Sequence, residues 1–466
     1  EMKSGARNFL RVASCFLILA LGATGAGADE TPPPGSITLT QRQAVELAAR
    51  LIARNDFSEA AALLTKQPFT VLELEIERLY LLGQIALKEK RYEDAIEIYR
   101  YILDHQPNLP KIRLELALAY MATEQWYRAD HHMRLAASDE SLPPEVKLAI
   151  RRYLYTIRQN KNWNLWFNFG LAPDNNVNGA VGGEECITYS QTFGHFPYPL
   201  CRKLPEPEKA MGYNLGFGGD YEFKFGEHWR LKNDFALLAN LYDKSQYDVY
   251  YLSASSGPRY VFPRGDVWLA ATGHKMYYGG RGYRDSLGLK LETNYDFLPR
   301  LSGNLQLHWR PTRYDGERAD YMNGEVRGAN MRLAYYFDAS RYAVLKAGLD
   351  REDTKEEAYS NLRKSLAVGF GAEVPLGFRV YLEPSFAWTD YDGPRWTVAE
   401  TAHGSEYTQV VEKLFTQRYM VSLSNNKISF LGFTPVVSYA YTDRKSNINS
   451  RSYEKHDIGF TMQQRF

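Results

Sequence analysis

Beyond its first thirty positions the chain contains no apolar run of eighteen residues, which excludes a helical membrane protein. Charge of one sign is also missing: 56 basic residues face 55 acidic ones, for a net charge of +1. No whole-chain field therefore points to nucleic acid as a partner. Cysteine is scarce, with three residues in 466, and glycine is nearly absent from residues 36–160, where Gly83 stands alone. None of these absences excludes a β-barrel membrane protein, because strict alternation hides its apolar face from any hydropathy average. Aromatic residues are abundant at 14%, including 34 tyrosines. The length allows about two to four domains.

The N-terminus reads as a secretory signal. Lys3, Arg7 and Arg11 make a positive region, and Val12 to Ala23 is mostly apolar. Ala26 and Ala28 occupy the small-residue positions of a cleavage site before Asp29. Val12-Ala13-Ser14-Cys15 imitates a lipid-attachment box, but the apolar stretch lies mainly after Cys15, where lipidation needs it before. Residues 1–28 are thus expected to be a signal peptide. Residues 29–39, with Pro32-Pro33-Pro34-Gly35, form a short leader. Export to an oxidising compartment makes a loop-closing disulfide the expected state of Cys186 and Cys201. Metal binding by that pair lacks any accompanying His or Cys cluster at zinc spacing.

Composition changes near residue 160: 29 of 35 glycines and 26 of 34 tyrosines follow it. A helical segment (40–160) followed by a strand-rich one (161–466) accounts for that shift. The helical part carries a 34-residue period. Leu79, Leu82, Gly83 and Ala86 share a face of one helix, Ala95, Tyr99 and Ile102 lie on the next, and Pro107 stops it. Thirty-four positions on stand Arg113, Leu116, Ala117 and Tyr120, then Ala129, Met133 and Ala136. Small residues recur where paired helices approach closely, and the pattern resembles the tetratricopeptide repeat. Residues 41–67 resemble a worn earlier unit, and Pro143 to Arg158 a terminal capping helix. Such a stack offers a surface for peptide or protein.

In the second part, Met211, Tyr213, Leu215, Phe217, Tyr221, Phe223 and Phe225 alternate with Gly212, Asn214, Gly216, Gly218, Asp220, Glu222 and Lys224. A strand puts each set on one face. Tight turns near 226, 264, 299, 339, 375 and 425 alternate with longer polar loops near 173–209, 243–246, 279–282, 314–323, 352–361, 391–405 and 443–454. These thirteen connections imply about fourteen strands, an antiparallel transmembrane β-barrel with both ends on the periplasmic side. Glu222, Lys290, His308 and Arg310 are among the residues expected to line its lumen. Ile458, Phe460, Met462 and the terminal Phe466 alternate along a last strand, resembling the assembly signal of outer-membrane proteins.

The junction runs from Trp163 through Ala172-Pro173-Asp174-Asn175-Asn176-Val177-Asn178. A strand ending in that motif, after tetratricopeptide-like helices and ahead of a fourteen-strand barrel, resembles the surface lipoprotein assembly modulators, or Slam proteins. The resemblance implies an outer-membrane translocon of the type XI secretion class, delivering surface lipoproteins or related proteins such as haemophores to the cell exterior. It also implies a periplasmic helical domain, exported cargo as partner, and outer-membrane lipid, the barrel-assembly machinery and periplasmic chaperones as further partners. Read without the family, Pro173-Asp174-Asn175-Asn176 is a turn-forming run.

No catalytic signature accompanies this architecture. A phosphate loop, a Gly-x-Ser-x-Gly elbow and a His-Glu-x-x-His pair are all missing, so neither an enzyme nor a cofactor is expected. His131-His132 on a helix point about 100° apart, which disfavours a shared metal. Two alternatives stay open at this point: a tetratricopeptide-barrel exporter of polysaccharide, and a passive porin.

Overall fold

A computed structural model describes residues 39–66, 68–139, 142–425, 428 and 433–465. The cleavage positions Ala26 and Ala28, and Phe466 of the assembly signal, lie outside the described residues.

Among the described residues seven helices come first: α1 (Gln41–Ala53), α2 (Phe57–Thr65), α3 (Leu72–Lys88), α4 (Tyr92–His105), α5 (Pro110–Ala122), α6 (Trp126–Ala137) and α7 (Pro144–Asn160). A capping box starts α1, with the Gln43 amide donating to Thr40 Oγ1 and the Thr40 amide to Gln43 Oε1. The small residues of the repeat are where helices touch: Ala95, Ala117 and Ala129 are fully buried. Gly83 of α3 lies against the Tyr99 ring of α4, where an added Cβ would stand 2.5 Å from Cε1. Tyr99 and Tyr120 sit in the same core, which runs without a break to Ile150, Leu154 and Ile157 of α7. Pro107 follows α4, as its missing amide requires.

Two residues after α7 the first strand begins. The strands are β1 (Trp163–Leu171), β2 (Glu184–Ser190), β3 (Gly194–Lys203), β4 (Gly212–Phe225), β5 (Trp229–Tyr242), β6 (Val249–Phe262), β7 (Gly265–Tyr278), β8 (Arg281–Leu298), β9 (Leu301–Tyr314), β10 (Gly324–Tyr336), β11 (Arg341–Thr354), β12 (Asn361–Val374), β13 (Phe378–Thr401), β14 (Gly404–Asn425), β15 (Thr434–Ser446) and β16 (Tyr453–Arg465). Fourteen of them close an antiparallel barrel in the order β1-β16-β15 and so on down to β4, which returns to β1; β2 and β3 form a separate hairpin. The helical domain and the end of β16 lie at the same, short-turn end.

The wall is inside out relative to a water-soluble barrel. On β4 the residues Tyr213, Leu215, Phe217, Tyr221 and Phe223 are exposed, whereas Gly212, Gly216, Gly218 and Glu222 are buried. Leu287, Leu289 and Leu291 of β8 and Leu366, Val368 and Phe370 of β12 repeat the exposed set. An apolar belt of that extent needs hydrocarbon around it. The interior holds the polar residues: Arg259 joins Glu222 (2.5 Å) and Asp266 (2.9 Å), and Lys290 reaches Asp234 (3.2 Å). Lys232 and Lys290 both lie over the buried Trp268 ring, at 4.4 and 4.1 Å from its centroid.

The connections differ from the sequence expectation at two of the longer loops. The expected loop at 279–282 is a two-residue turn, Gly279-Gly280, because both glycines take positive φ and Tyr278 already pairs with Arg281. The expected loop at 391–405 is strand: β13 and β14 stay paired as far as Thr401↔Gly404, with an irregularity between Asp390 and Pro394. Trp396, Thr397 and Val398 and the facing Tyr407 to Val411 supply β-formers there, and Trp396 stacks on Tyr407 at 5.4 Å. Gly393-Pro394 marks the irregularity, not a loop. The expected turn at Asn425-Asn426 falls between β14, which ends at Asn425, and β15, which starts at Thr434, and Asn426 lies outside the described residues.

Candidate functional site

The barrel closes where β1 meets β16. That pairing covers six residue pairs, from Trp166↔Arg465 to Leu171↔Phe460, whereas β1 makes nine with β4. The difference lies at Trp163, Asn164 and Leu165, which pair with β4 but stand past Arg465, the last described residue of β16. Strand β4 is glycine-rich opposite β1 because β1 lays large groups across it. An added Cβ at Gly218 would stand 2.6 Å from Trp166 Cζ2, and one at Gly216 would stand 2.7 Å from the Asn168 amide. On the assembly-signal side, Phe460 faces Leu171, Met462 faces Phe169, and Ile458 pairs with Tyr439 of β15.

Beyond Leu171 the motif residues hold the outer end of this seam. The Ala172 amide donates to the Gly212 carbonyl at 2.8 Å. After Pro173, Asp174 exchanges two backbone hydrogen bonds with Ala210, each 2.9 Å. Its carboxylate accepts from the Asn176 amide (2.9 Å) and pairs with Lys455 of β16 (2.7 Å). Asn175 Oδ1 accepts from the His456 amide at 3.0 Å, a second tie to β16. Asn176 closes a small loop with Ala180 through both ends of its amide, and Asn178 does the same with Glu206 and Glu208. The run is thus a turn, as its residues dictate, and also a clamp between β1, β16 and the following segment. Asp174 and Asn176 are buried. Trp163 is exposed at the other end of β1, opposite Tyr221.

That following segment carries the β2–β3 hairpin, in which Cys186 faces Cys201 across the pairing as a disulfide, with Cα atoms 3.9 Å apart. Both sulfurs are bonded to each other, so Glu184 beside them makes no metal centre. The hairpin rests on the tall β13–β14 pair: the Ser405 amide donates to Thr188 Oγ1 at 3.0 Å, and Tyr189 stacks on His403.

At the opposite end the helical domain lies over the short turns. Arg113 of α5 meets Glu373 of β12 at 2.7 Å, and its side chain is fully buried. Arg134 of α6 and Arg158 of α7 converge on Asp296 of β8, each at 2.6 Å. Arg158 also donates to the Pro263 carbonyl (3.2 Å), and Gln159 accepts from Arg230 of β5 (2.5 Å). The Ala339 amide donates to Asn108 at 3.2 Å, and α4 packs on the turn Pro375–Gly377. Three short connections are therefore touched directly, at Pro263, Ala339 and Pro375–Gly377, and Arg230 and Asp296 carry contacts on the strands beside two more; the sixth, 426–433, lies mostly outside the described residues. A cavity of about 520 Å³ remains between α4–α6 and the ends of β11–β16.

Burial tunes the groups on the helical side of this contact. Desolvation holds His132 well below its ordinary 6.5, helped by neighbouring His131 and Arg113. His131 is also lowered by burial, against the pull of Glu373 at 3.3 Å. Burial works against the charge on Arg134, but Asp130 and Asp296 outweigh it and raise its pKa. The two imidazoles have different partners, Glu373 for His131 and the Arg113 guanidinium for His132, so they do not converge on one point. Sequence reading placed Arg113 on an inward repeat face, at the position of Leu79, without assigning it a role. A charge at that apolar position was the one local signal of the interface.

Residues 155–466 match the family described as surface lipoprotein assembly modifier, and residues 86–149 match a tetratricopeptide repeat. A surface lipoprotein assembly modifier of Pasteurella multocida (strain Pm70) is 24% identical over 82% of this chain and 75% of its own length. Surface lipoprotein assembly modifier 1 of Neisseria meningitidis serogroup B is 24% identical over 81% of this chain and 73% of its own. A hemophilin secretion modulator of Acinetobacter baumannii is 19% identical, over 82% and 76%.

Proposed function

Because the chain belongs to the surface lipoprotein assembly modifier family, we propose that it is an outer-membrane translocon that delivers a surface lipoprotein or a related secreted protein across that membrane. The barrel sits in the outer membrane and the helical domain on its periplasmic side. The observation that carries the reading is the architecture itself. A closed barrel with a family-matched wall is joined through two residues to a peptide-binding type of helical stack lying over its entrance. A passive porin has no use for that cover.

Delivery proceeds without nucleotide hydrolysis and without covalent chemistry on the cargo. Its driving force is cargo binding and folding outside, which makes return unfavourable. The β1–β16 seam is the part of the wall that yields, because six residue pairs and one clamp hold it. A cargo strand then pairs with the freed edges. The barrel-assembly machinery inserts the protein by reading Ile458, Phe460, Met462 and Phe466, and periplasmic chaperones bring the cargo. Residues 1–28 are removed on export, leaving the chain from Asp29.

The test is surface exposure on intact cells. The protein is co-expressed with an exported protein encoded beside its gene, and antibody binding to that candidate is measured. Exposure that vanishes on deletion of residues 163–466, with the candidate still made, is the expected result. Equal exposure without the barrel, for every neighbouring candidate, refutes the proposal.

A further inference from the structure

The contacts between the helical domain and the barrel are arranged unevenly. One group lies next to the covalent junction. Arg158 and Gln159 hold the last turn of α7 to Asp296, Pro263 and Arg230, and the Glu222 amide donates to the Asn162 carbonyl at 2.7 Å. These contacts fix residues 158–162 to β4, β5 and the ends of β6 and β8. The second group lies farther from the junction along the chain and on other strands, Arg113 on Glu373 and Asn108 on Ala339; Arg134 shares Asp296 with Arg158 and so belongs with the first group. The first group makes a pivot, and the second makes a fastening across the mouth.

The chemistry of the fastening differs from that of the helical core. Within the stack, α4 to α7 share one apolar core that ends at Leu154 and Ile157. The contact with the barrel includes buried guanidinium and carboxylate groups, with side chains 0% and 9% exposed for Arg113 and Glu373, beside the packing of α4 on the turn Pro375–Gly377. Buried ion pairs hold well when complete and poorly when either member is lost. Both groups rehydrate on separation, unlike an apolar surface. An interface of this kind is suited to coming apart and closing again.

We infer that the helical domain is a hinged cover that closes the periplasmic mouth of the barrel at rest, pivoting at residues 158–162 and fastened by the Arg113–Glu373 pair and the Asn108–Ala339 contact. The inference rests on the translocon reading only for what lifts the cover, an arriving cargo segment that competes for the fastening. Whether the resting mouth is closed is a property of the purified chain alone.

The test is therefore made without cargo. The full chain is reconstituted in planar lipid bilayers and its ionic conductance recorded, with barrel folding checked by heat-modifiable gel mobility. The wild type is expected to stay mostly closed. Glu373→Gln keeps the shape of the side chain and the helical repeat intact and leaves the pivot's Asp296 untouched, but removes the carboxylate that Arg113 meets on the barrel. Losing one member of a buried pair shifts a two-state equilibrium by about a hundredfold or more, so open time rises by that order. A third form adds Asn108→Cys and Ala339→Cys to that variant, joined by a short thiol crosslinker with a reducible bond. It is expected to be closed until reductant is added. The reference is wild type under the same reductant, which also opens Cys186–Cys201. A wild type that conducts steadily overturns the inference. So does a folded Glu373→Gln variant with unchanged conductance, or a crosslinked form as open as the uncrosslinked one. A failed delivery assay leaves these outcomes untouched, so the two readings fail separately.

Discussion

The clamp at Asp174 makes the most direct claim about the seam. Its carboxylate does two jobs: it accepts from the Asn176 amide and pairs with Lys455 across the β1–β16 closure. Asp174→Asn separates them, since the amide oxygen can still accept from Asn176 while the charge is lost. The Asp174 side chain is 5% exposed and that of Lys455 24%, so the pair lies between two regimes. Exposed pairs contribute about 0–1 kcal/mol and broken buried ones cost about 3–5 kcal/mol, which puts the expected loss at about 2 kcal/mol. Lys455 keeps a second partner, Asp457 at 3.2 Å, which holds the loss below the buried limit. The assay is urea unfolding of the full chain in a fixed detergent, followed by tryptophan fluorescence, with Trp163 and Trp166 on the strand in question. Asp174→Asn, Lys455→Gln and the double variant complete a cycle, and a coupling of about 1–2 kcal/mol is expected. A coupling indistinguishable from zero, with unfolding midpoints unchanged, would refute the assignment of Asp174 as the tie between the two strands. In the delivery assay, Asp174→Asn should alter export with barrel insertion unchanged.

Four further outcomes follow from the same geometry. Both buried histidines hold protons less tightly when folded than when unfolded, because burial lowers their pKa from 6.5. The unfolded chain therefore takes up protons first, and stability of the helical domain is full above about pH 6.5 and falls as pH drops through that value. His132→Asn should flatten the fall in a pH series of melting temperatures. Gly83→Ala pushes a methyl group against the Tyr99 ring. Overpacking at about 1–3 kcal/mol exceeds the helical gain of about 1 kcal/mol, so a lower melting temperature is expected. Tyr99→Phe should be neutral or stabilising, because its buried hydroxyl has no hydrogen-bond partner among the described residues. Cys186→Ser removes the crosslink of a fifteen-residue loop, so limited proteolysis should begin to cut within 184–203 while the barrel core survives.

What was legible in the sequence and what was not divide along one physical line, the distance over which the cause acts. Alternation on β4 is a two-residue signal, and a lipid-facing wall makes it visible by exposing Tyr213, Leu215 and Phe217 in place of burying them. The 34-residue period is legible because Gly83, Ala95, Ala117 and Ala129 are forced by helix-on-helix approach within one repeat. The turn at Pro173 to Asn176 is equally local, an Asx turn on Asp174. The clamp is not, because its other half is Lys455, nearly three hundred residues on. The cover is further still from local reach: Arg113 meets Glu373 at a separation of 260 residues, and Arg134 meets Asp296 at 162. Each partner alone reads as an ordinary charged residue on a helix or near a strand end, and only closure of the barrel brings the carboxylates into the ring that the helical domain covers. The tall β13–β14 pair fails for a different reason. Gly393-Pro394 carries the composition of a loop, and the pairing above it persists only because two long strands, each rich in β-formers, continue to face each other past the irregularity. Local chemistry there names a break, and the partner strand decides that it is a bulge. The parts of this molecule that a translocon must move are thus the parts held by pairs distant in sequence. A local contact forms and persists with its own element, whereas one that joins two bodies can be released without unfolding either.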